Sequence, residues 1–242
     1  MSARITLATA LRVLLQLRRD PRTLALLLVV PCVLVALVKW IFIAPVFQRL
    51  GVPLVGLFPL ISMFLVTCVT VLRERTTGTL ERLMTLPLSK VDLLAGYALA
   101  FGGLAAVQAG VVASVAVGWL GLQPRGPTAL VVALAIANAL LGMALGLFVS
   151  AFAQTEFQAV QFMPALVLPQ LLLCGLLAPR DGMARPLRLL SDVLPMTYAY
   201  DGLARVARGQ TGGRLALDAI VLVASLVVAL GLGAVTLRRR TR

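Results

Sequence analysis

The residues best placed to do chemistry lie in one stretch, Arg73-Glu-Arg-Thr-Thr-Gly-Thr-Leu-Glu-Arg-Leu-Met-Thr-Leu-Pro-Leu-Ser-Lys-Val-Asp92, the densest polar segment between two long apolar runs. It reads as a short amphipathic helix linking two membrane spans. Thr77 or Gly78 can cap its start, Glu81 falls in the first turn where the helix dipole favours negative charge, and Pro87 stops it. Leu80, Leu83 and Met84 follow i, i+3, i+4 spacing, so one face is apolar while Glu81 and Arg82 point elsewhere. Ser89 and Asp92 then have the Ser-x-x-Asp spacing that caps a helix opening near Lys90. This is equipment for contact with a partner, not for making and breaking bonds.

Elsewhere the inventory for catalysis is thin. Histidine is absent, which removes the commonest general base and the commonest metal ligand together. Cys32, Cys68 and Cys174 lie inside apolar runs without a Cys-x-x-Cys pairing, so they read as small buried hydrophobes. The phosphate-binding loop, the His-Glu-x-x-His helix and the Gly-x-Ser-x-Gly elbow are all missing from the sequence. No pair of carboxylates falls within one span, and no ionisable relay sits at mid-depth as a proton-coupled carrier would need. The two three-span halves show no evident repeat of the kind many secondary carriers have.

The elements that hold the polar stretch are membrane spans. Sixty per cent of the 242 residues are hydrophobic and 13% are charged. The mean hydropathy is +1.00, beyond what a water-soluble fold keeps dispersed. The expected fold is therefore an all-α integral membrane protein with six transmembrane helices, at about 23–46, 53–72, 91–120, 128–152, 157–177 and 214–237. An interfacial amphipathic helix precedes them at 4–19, with Leu7, Leu11, Leu14 and Leu15 opposite Thr9, Arg12, Gln16 and Arg19. Asp20-Pro21 breaks it and can open the first span. No small-x-small site follows that span, which argues against a cleaved signal peptide.

Two rows of small residues mark close packing. Ala98, Gly102, Ala106, Gly110, Ser114 and Gly118 recur along the third span, and Asn138, Gly142, Gly146 and Ser150 along the fourth. The expectation is that these rows pack on one another. Segment 178–213 is too interrupted to span and too apolar to float free, so short helices resting on the outer membrane face are expected there. Beyond it Arg214 and Asp218 have the spacing to pair.

The net charge of +13 comes from basic residues clustered at span ends, where they orient the chain and meet anionic headgroups. There are no aromatic-interleaved basic strands, and nucleic acid is not an expected partner. With both termini inside, the inner segments carry thirteen basic residues and the outer segments eight, Lys39 lying within a span. That asymmetry places the termini in the cytoplasm.

The stretch Arg-Glu-Arg-x-x-Gly-Thr-Leu-Glu-Arg-Leu, the following Leu-Pro-Leu-Ser and the Asp-Leu-Leu-Ala-Gly-Tyr opening resemble permease subunits of the ABC-2 type, of the daunorubicin and multidrug exporter kind. The basic leader before Asp-Pro-Arg-Thr-Leu, the run Leu-Pro-Gln-Leu-Leu-Leu-Cys-Gly-Leu-Leu-Ala-Pro and the later Leu194-Pro-Met-Thr-Tyr-Ala-Tyr-Asp-Gly-Leu203 are similar to that family's pieces in the same order.

The resemblance implies a type V ABC exporter architecture: one transmembrane domain over residues 1–242, a cytoplasmic coupling helix in loop 73–90 between spans two and three, and short outer helices between spans five and six. It implies no cofactor in this chain, with ATP and Mg bound by two copies of a partner ATPase. A second permease copy, identical or related, would complete the pathway in a bacterial inner membrane. Leu80, Leu83 and Met84 would seat in the ATPase, and Arg73, Glu74, Arg75, Gly78, Thr79, Glu81, Arg82 and Pro87 would shape and hold the loop, with Glu156 a further contact. Ser62, Met63, Thr67, Gln158, Gln161, Met163 and Gln170 are pathway candidates for a lipophilic drug-like, antibiotic or lipid-linked substrate. Phe64 and Phe162 would add apolar surface. The alternative is an ion-gradient-driven carrier or channel with no ATPase.

Overall fold

Local signals set the helix boundaries. Asp20 caps the helix after it, accepting from the Thr23 amide at 3.2 Å and the Thr23 hydroxyl at 2.7 Å, with Pro21 in the first turn. The hydroxyl bond, then the amide bond, hold its carboxyl below the usual range. The computed structural model describes residues 3–78 and 90–236. Its helices are α1 Ala3–Arg18, α2 Pro21–Ile41, α3 Ala44–Thr76, α4 Lys90–Ser114, α5 Thr128–Val149, α6 Glu156–Leu173, α7 Arg185–Val193, α8 Pro195–Ala207 and α9 Gly213–Thr236. A π-helical turn, Val115–Trp119, prolongs α4, and a 3-10 turn, Arg180–Gly182, precedes α7.

Every regular element among the described residues is helical, as expected for an all-α membrane protein. Among the described residues five helices are long and apolar enough to cross a bilayer: α2, α3, α4 with its π turn, α5 and α9. The run expected as a span at 157–177 forms α6, which is not among those five. It carries Gln158, Gln161 and Gln170 as well as Pro164 and Pro169.

The first two runs divide earlier than their prolines imply. The chain turns at Phe42 and Ile43, and α3 then runs unbroken for 33 residues through Pro53 and Pro59. Pro45 fits its first turn, where no amide is needed, and membrane helices tolerate interior proline when neighbours satisfy the freed carbonyls. The Lys39 ammonium sits 5.0 Å from the ring centre of buried Phe47 and ties the two helices at the turn.

At the centre, α3 and α5 make the most extensive contact in the bundle. A Cβ on Gly142 would lie 2.1 Å from the Leu60 carbonyl oxygen, and one on Gly146 2.3 Å from that of Phe64. The small-residue row of α5 therefore packs on α3 and not on the α4 ladder. The ladder itself is only partly used: Gly102 meets Leu140, while Gly110 and Gly118 face open space. The tight approach on α4 is at Gly96, where a Cβ would come within 2.6 Å of Thr9 on α1.

Helix α1 thus docks through Thr9, Ala10, Val13 and Leu17, leaving Leu7, Leu11, Leu14 and Leu15 exposed on its other side. The apolar stripe faces away from the protein, and part of the side expected to be polar is the docking surface.

At the opposite end, α7 exposes Leu187, Leu189, Leu190 and Val193, but α8 does not merely rest on the bundle. Its Met196, Ala199, Leu203 and Val206 are buried among α3, α5 and α9. Ser191 and Thr197 close the bend between the two short helices, with the Thr197 hydroxyl donating to the Ser191 carbonyl at 2.7 Å. Asp218 is buried and paired with Arg205 of α8 at 2.7 Å, not with Arg214 as its spacing implies. The sequence neighbour was available, but the helix packed across α9 supplies the closer guanidinium. Arg180 bridges Asp192 and Asp201, and Arg188 meets Asp181.

Candidate functional site

The last turn of α3 places three consecutive charged residues where four other helices converge. Each takes a different direction. Arg73 donates to both carboxylate oxygens of Glu156 at the start of α6, at 2.6 and 3.0 Å. Arg75 donates to the carbonyl oxygen of Ser150 at the end of α5. A cation there meets carbonyls that the helix leaves without partners.

Glu74 points inward and its side chain is 2% exposed. Arg12 of α1 donates to both its oxygens at 3.2 Å, and the Tyr97 hydroxyl of α4 donates to Oε2. Arg12 also reaches the Tyr97 oxygen at 3.4 Å. A carboxylate removed from water needs such partners, since an ion this buried is costly if left alone.

The helix then ends cleanly. The Thr76 and Thr77 hydroxyls both donate to the Arg73 carbonyl, and Gly78 takes a left-handed φ of 71°. That conformation is inexpensive for glycine and closes helix C-termini. Thr77 and Gly78 therefore terminate α3. Whether a further helix starts on them, and where Thr79, Leu80, Glu81, Arg82, Leu83, Met84 and Pro87 lie, falls outside the described residues. The next described helix opens at Lys90, as the sequence predicts.

Glu156 is fixed from its own side as well. Thr155 caps α6, accepting from the Gln158 amide at 3.2 Å, and Gln158 in return accepts from the Gln154 amide at 2.9 Å. The hydrogen bond from Arg73, reinforced by its charge, holds the Glu156 carboxyl below the ordinary range. A lowered carboxylate contributes stability above its unfolded pKa and loses it as pH falls through the folded value. Both side chains are more than half exposed, so the contribution is small. Glu156→Gln is expected to change stability by about 0–1 kcal/mol, as for other exposed pairs, and to remove any Arg73-dependent loss of stability below about pH 4 in thermal melts.

The pathway candidates are not gathered on one surface. Met63 and Thr67 are fully buried within the chain, and the Ser62 hydroxyl donates to the Phe58 carbonyl in its own helix at 3.0 Å. Gln158 and Gln161 are exposed on α6, Met163 is half-buried, and the Gln170 amide donates to the Leu166 carbonyl. Of α6 only Ala159 and Val167 are fully buried, which leaves most of that helix without a neighbour. Among the described residues no group of His, Cys, Asp and Glu is arranged to hold a metal.

Three participants carry no special signal in the sequence: Arg12, Tyr97 and the Ser150 carbonyl. Arg12 lies 62 residues from Glu74 and reads as one more charge in a basic leader. Of the three only Tyr97 falls in a quoted motif, the Asp-Leu-Leu-Ala-Gly-Tyr opening, beside the Gly96 that admits α1.

The family model described as ABC-2 type transporter matches residues 6–206. Similar proteins include ABC transporter G family member 20 of Dictyostelium discoideum, 28% identical over 57% of this chain and 19% of that protein. The protein named probable multidrug ABC transporter permease YbhR of Escherichia coli is 26% identical over 67% of this chain and 45% of its own length. Linearmycin resistance permease protein LnrN of Bacillus subtilis is 27% identical over 57% and 35%. The chain spans less than half the length of each of these relatives.

Proposed function

The chain belongs to the ABC-2 type transporter family, and from that premise we propose that it is the permease subunit of an ATP-driven exporter. It crosses a bacterial inner membrane six times with both termini in the cytoplasm, α6 being the remaining span. Two copies of a separate ATPase bind ATP and Mg and engage loop 73–90, Leu80, Leu83 and Met84 seating against them. A second permease copy completes the pathway, lined from the exposed side of α6 by Gln158 and Gln161. The substrate is a lipophilic drug-like, antibiotic or lipid-linked molecule, in keeping with the multidrug and linearmycin-resistance names among its relatives.

The observation that carries this reading is the divergence of Arg73, Glu74 and Arg75. A load applied to the segment after Gly78 reaches α1 and α4 through Glu74, α6 through Arg73 and α5 through Arg75. A loop serving only as a connection has no need of such distribution.

The test is purification of the full chain from its native membranes, with identification of what remains bound. A P-loop ATPase is expected to be retained, and Leu80→Asp with Leu83→Asp is expected to release it while the permease still elutes as a folded species. Transport that persists without nucleotide and stops when the proton gradient collapses would mean a secondary carrier instead.

A further inference from the structure

The outer half of α5 and the start of α9 are not in full contact. They leave an open cavity of about 410 Å³, walled by Leu130, Ala133 and Ala137 on one side and Leu215, Ala219 and Leu222 on the other. Alanines at Ala133, Ala137 and Ala219 create the space, because larger side chains would fill it. From Leu130 to Ala137 the slot follows about 10 Å of helix at 1.5 Å per residue. Its walls offer almost no hydrogen-bonding groups, and the α9 surface beside it exposes Leu217, Ile220 and Val227. An apolar slot of this length, open on its side, accepts a hydrocarbon chain better than a compact polar solute.

The mouth is different in character. It lies at Thr211 and Gly212, and a Cβ on Gly212 or Gly213 would meet nothing, so the entrance is unobstructed. Arg208 and Arg214 stand on either side of it in sequence, both exposed. Arg125 is held beside the residues that flank Arg208: its amide donates to the Ala207 carbonyl at 3.1 Å, and its Cβ lies 3.4 Å from where one on Gly209 would be.

The carboxylates at this end already have partners, Asp218 with Arg205, Asp192 and Asp201 with Arg180, and Asp181 with Arg188. Among the described residues Arg125, Arg208 and Arg214 make no ion pair. Guanidiniums outside any ion pair, two of them on residues that flank Thr211, Gly212 and Leu215 of the slot's lining, fit a molecule with a negative head and a hydrocarbon tail.

We propose that this groove is a binding site for an anionic phospholipid of the leaflet at the α8 end, with an acyl chain between α5 and α9 and the phosphate at Arg125, Arg208 and Arg214. The site is remote from the Arg73 cluster and does not depend on the ATPase reading. It requires only that α5 and α9 span a membrane.

The experiment is native mass spectrometry of the full chain in detergent, titrated with phosphatidylglycerol or with phosphatidylcholine of the same acyl chains. The unsubstituted protein is expected to retain phosphatidylglycerol preferentially. Arg208→Gln with Arg214→Gln should reduce that preference on the order of tenfold while leaving phosphatidylcholine retention unchanged. Ala133→Trp, at an exposed position, should displace both lipids by filling the slot. Ala133→Leu serves as the milder filling variant if the tryptophan chain does not elute as a folded species. Equal retention of the two lipids, or a preference untouched by the arginine variants, overturns the proposal. So does lipid retention insensitive to both Ala133 substitutions, which is the behaviour of unspecific annular lipid. Displacement of the lipid by inorganic phosphate alone would identify a free-anion site and also overturn it.

Discussion

Gly142→Val is expected to leave little folded protein. The added Cβ would fall 2.1 Å from the Leu60 carbonyl oxygen, 2.8 Å from its carbonyl carbon and 2.9 Å from its Cα. These are backbone atoms, so no rotamer change relieves the clash and α3 and α5 must separate. Overpacking against movable side chains costs about 1–3 kcal/mol, and a contact that pushes whole helices apart lies at or above the top of that range. Gly110→Val is the matched control, since nothing lies within 4 Å of a Cβ there. Fluorescence-detected size exclusion and thermal melting in detergent should separate the two. A Gly142→Val chain that elutes and melts like the unsubstituted protein would refute the close approach.

The second large effect is expected at Glu74. Glu74→Ala leaves the Arg12 guanidinium and the Tyr97 hydroxyl facing an empty buried site. The Arg12 side chain left behind keeps 30% exposure, so the cost is that of donors stranded in a partly buried site, about 1–3 kcal/mol, and not that of a fully buried lone charge. Helix α1 is held through Thr9, Ala10, Val13 and Leu17 and through Arg12, so it is the element that loosens. Limited trypsin digestion should then cut after Arg18 and Arg19 faster than in the unsubstituted protein, alongside a lowered melting temperature. Arg12→Ala combined with Glu74→Ala should cost less than the sum of the two, because the double variant strands no charge. Strict additivity, or unchanged digestion, would mean that the pair does not anchor α1.

What the sequence disclosed about these sites depended on distance along the chain. Asp20-Pro21 was legible because a cap is made within four residues, and Thr23 supplies both donors. Gly142 and Gly146 announced a close neighbour but could not say which helix it was. Small residues specify a gap, and only the tertiary arrangement put α3 in it where α4 was expected. Arg214 and Asp218 illustrate the same limit: the local pairing rule was satisfied, yet Arg205 lay closer in space.

Prolines misled in another way. Pro53 marked an expected beginning, but α3 starts at Ala44, and the extra two turns carry Phe47 and Val52 into the core. The charged triplet was visible as a candidate from its composition. Its internal partners were not, because Arg12, Tyr97 and Ser150 come from three distant parts of the chain.

The seam between α3 and α5 also limits how the molecule can rearrange. With carbonyl oxygens of one helix lodged where side chains of the other would be, sliding or rolling along that line meets backbone at both Gly142 and Gly146. If the chain works as the proposed exporter permease, the pair is expected to act as a stator. On that reading the working stroke is expected in the less buried flanks: α2, with three buried residues, and α6, with two.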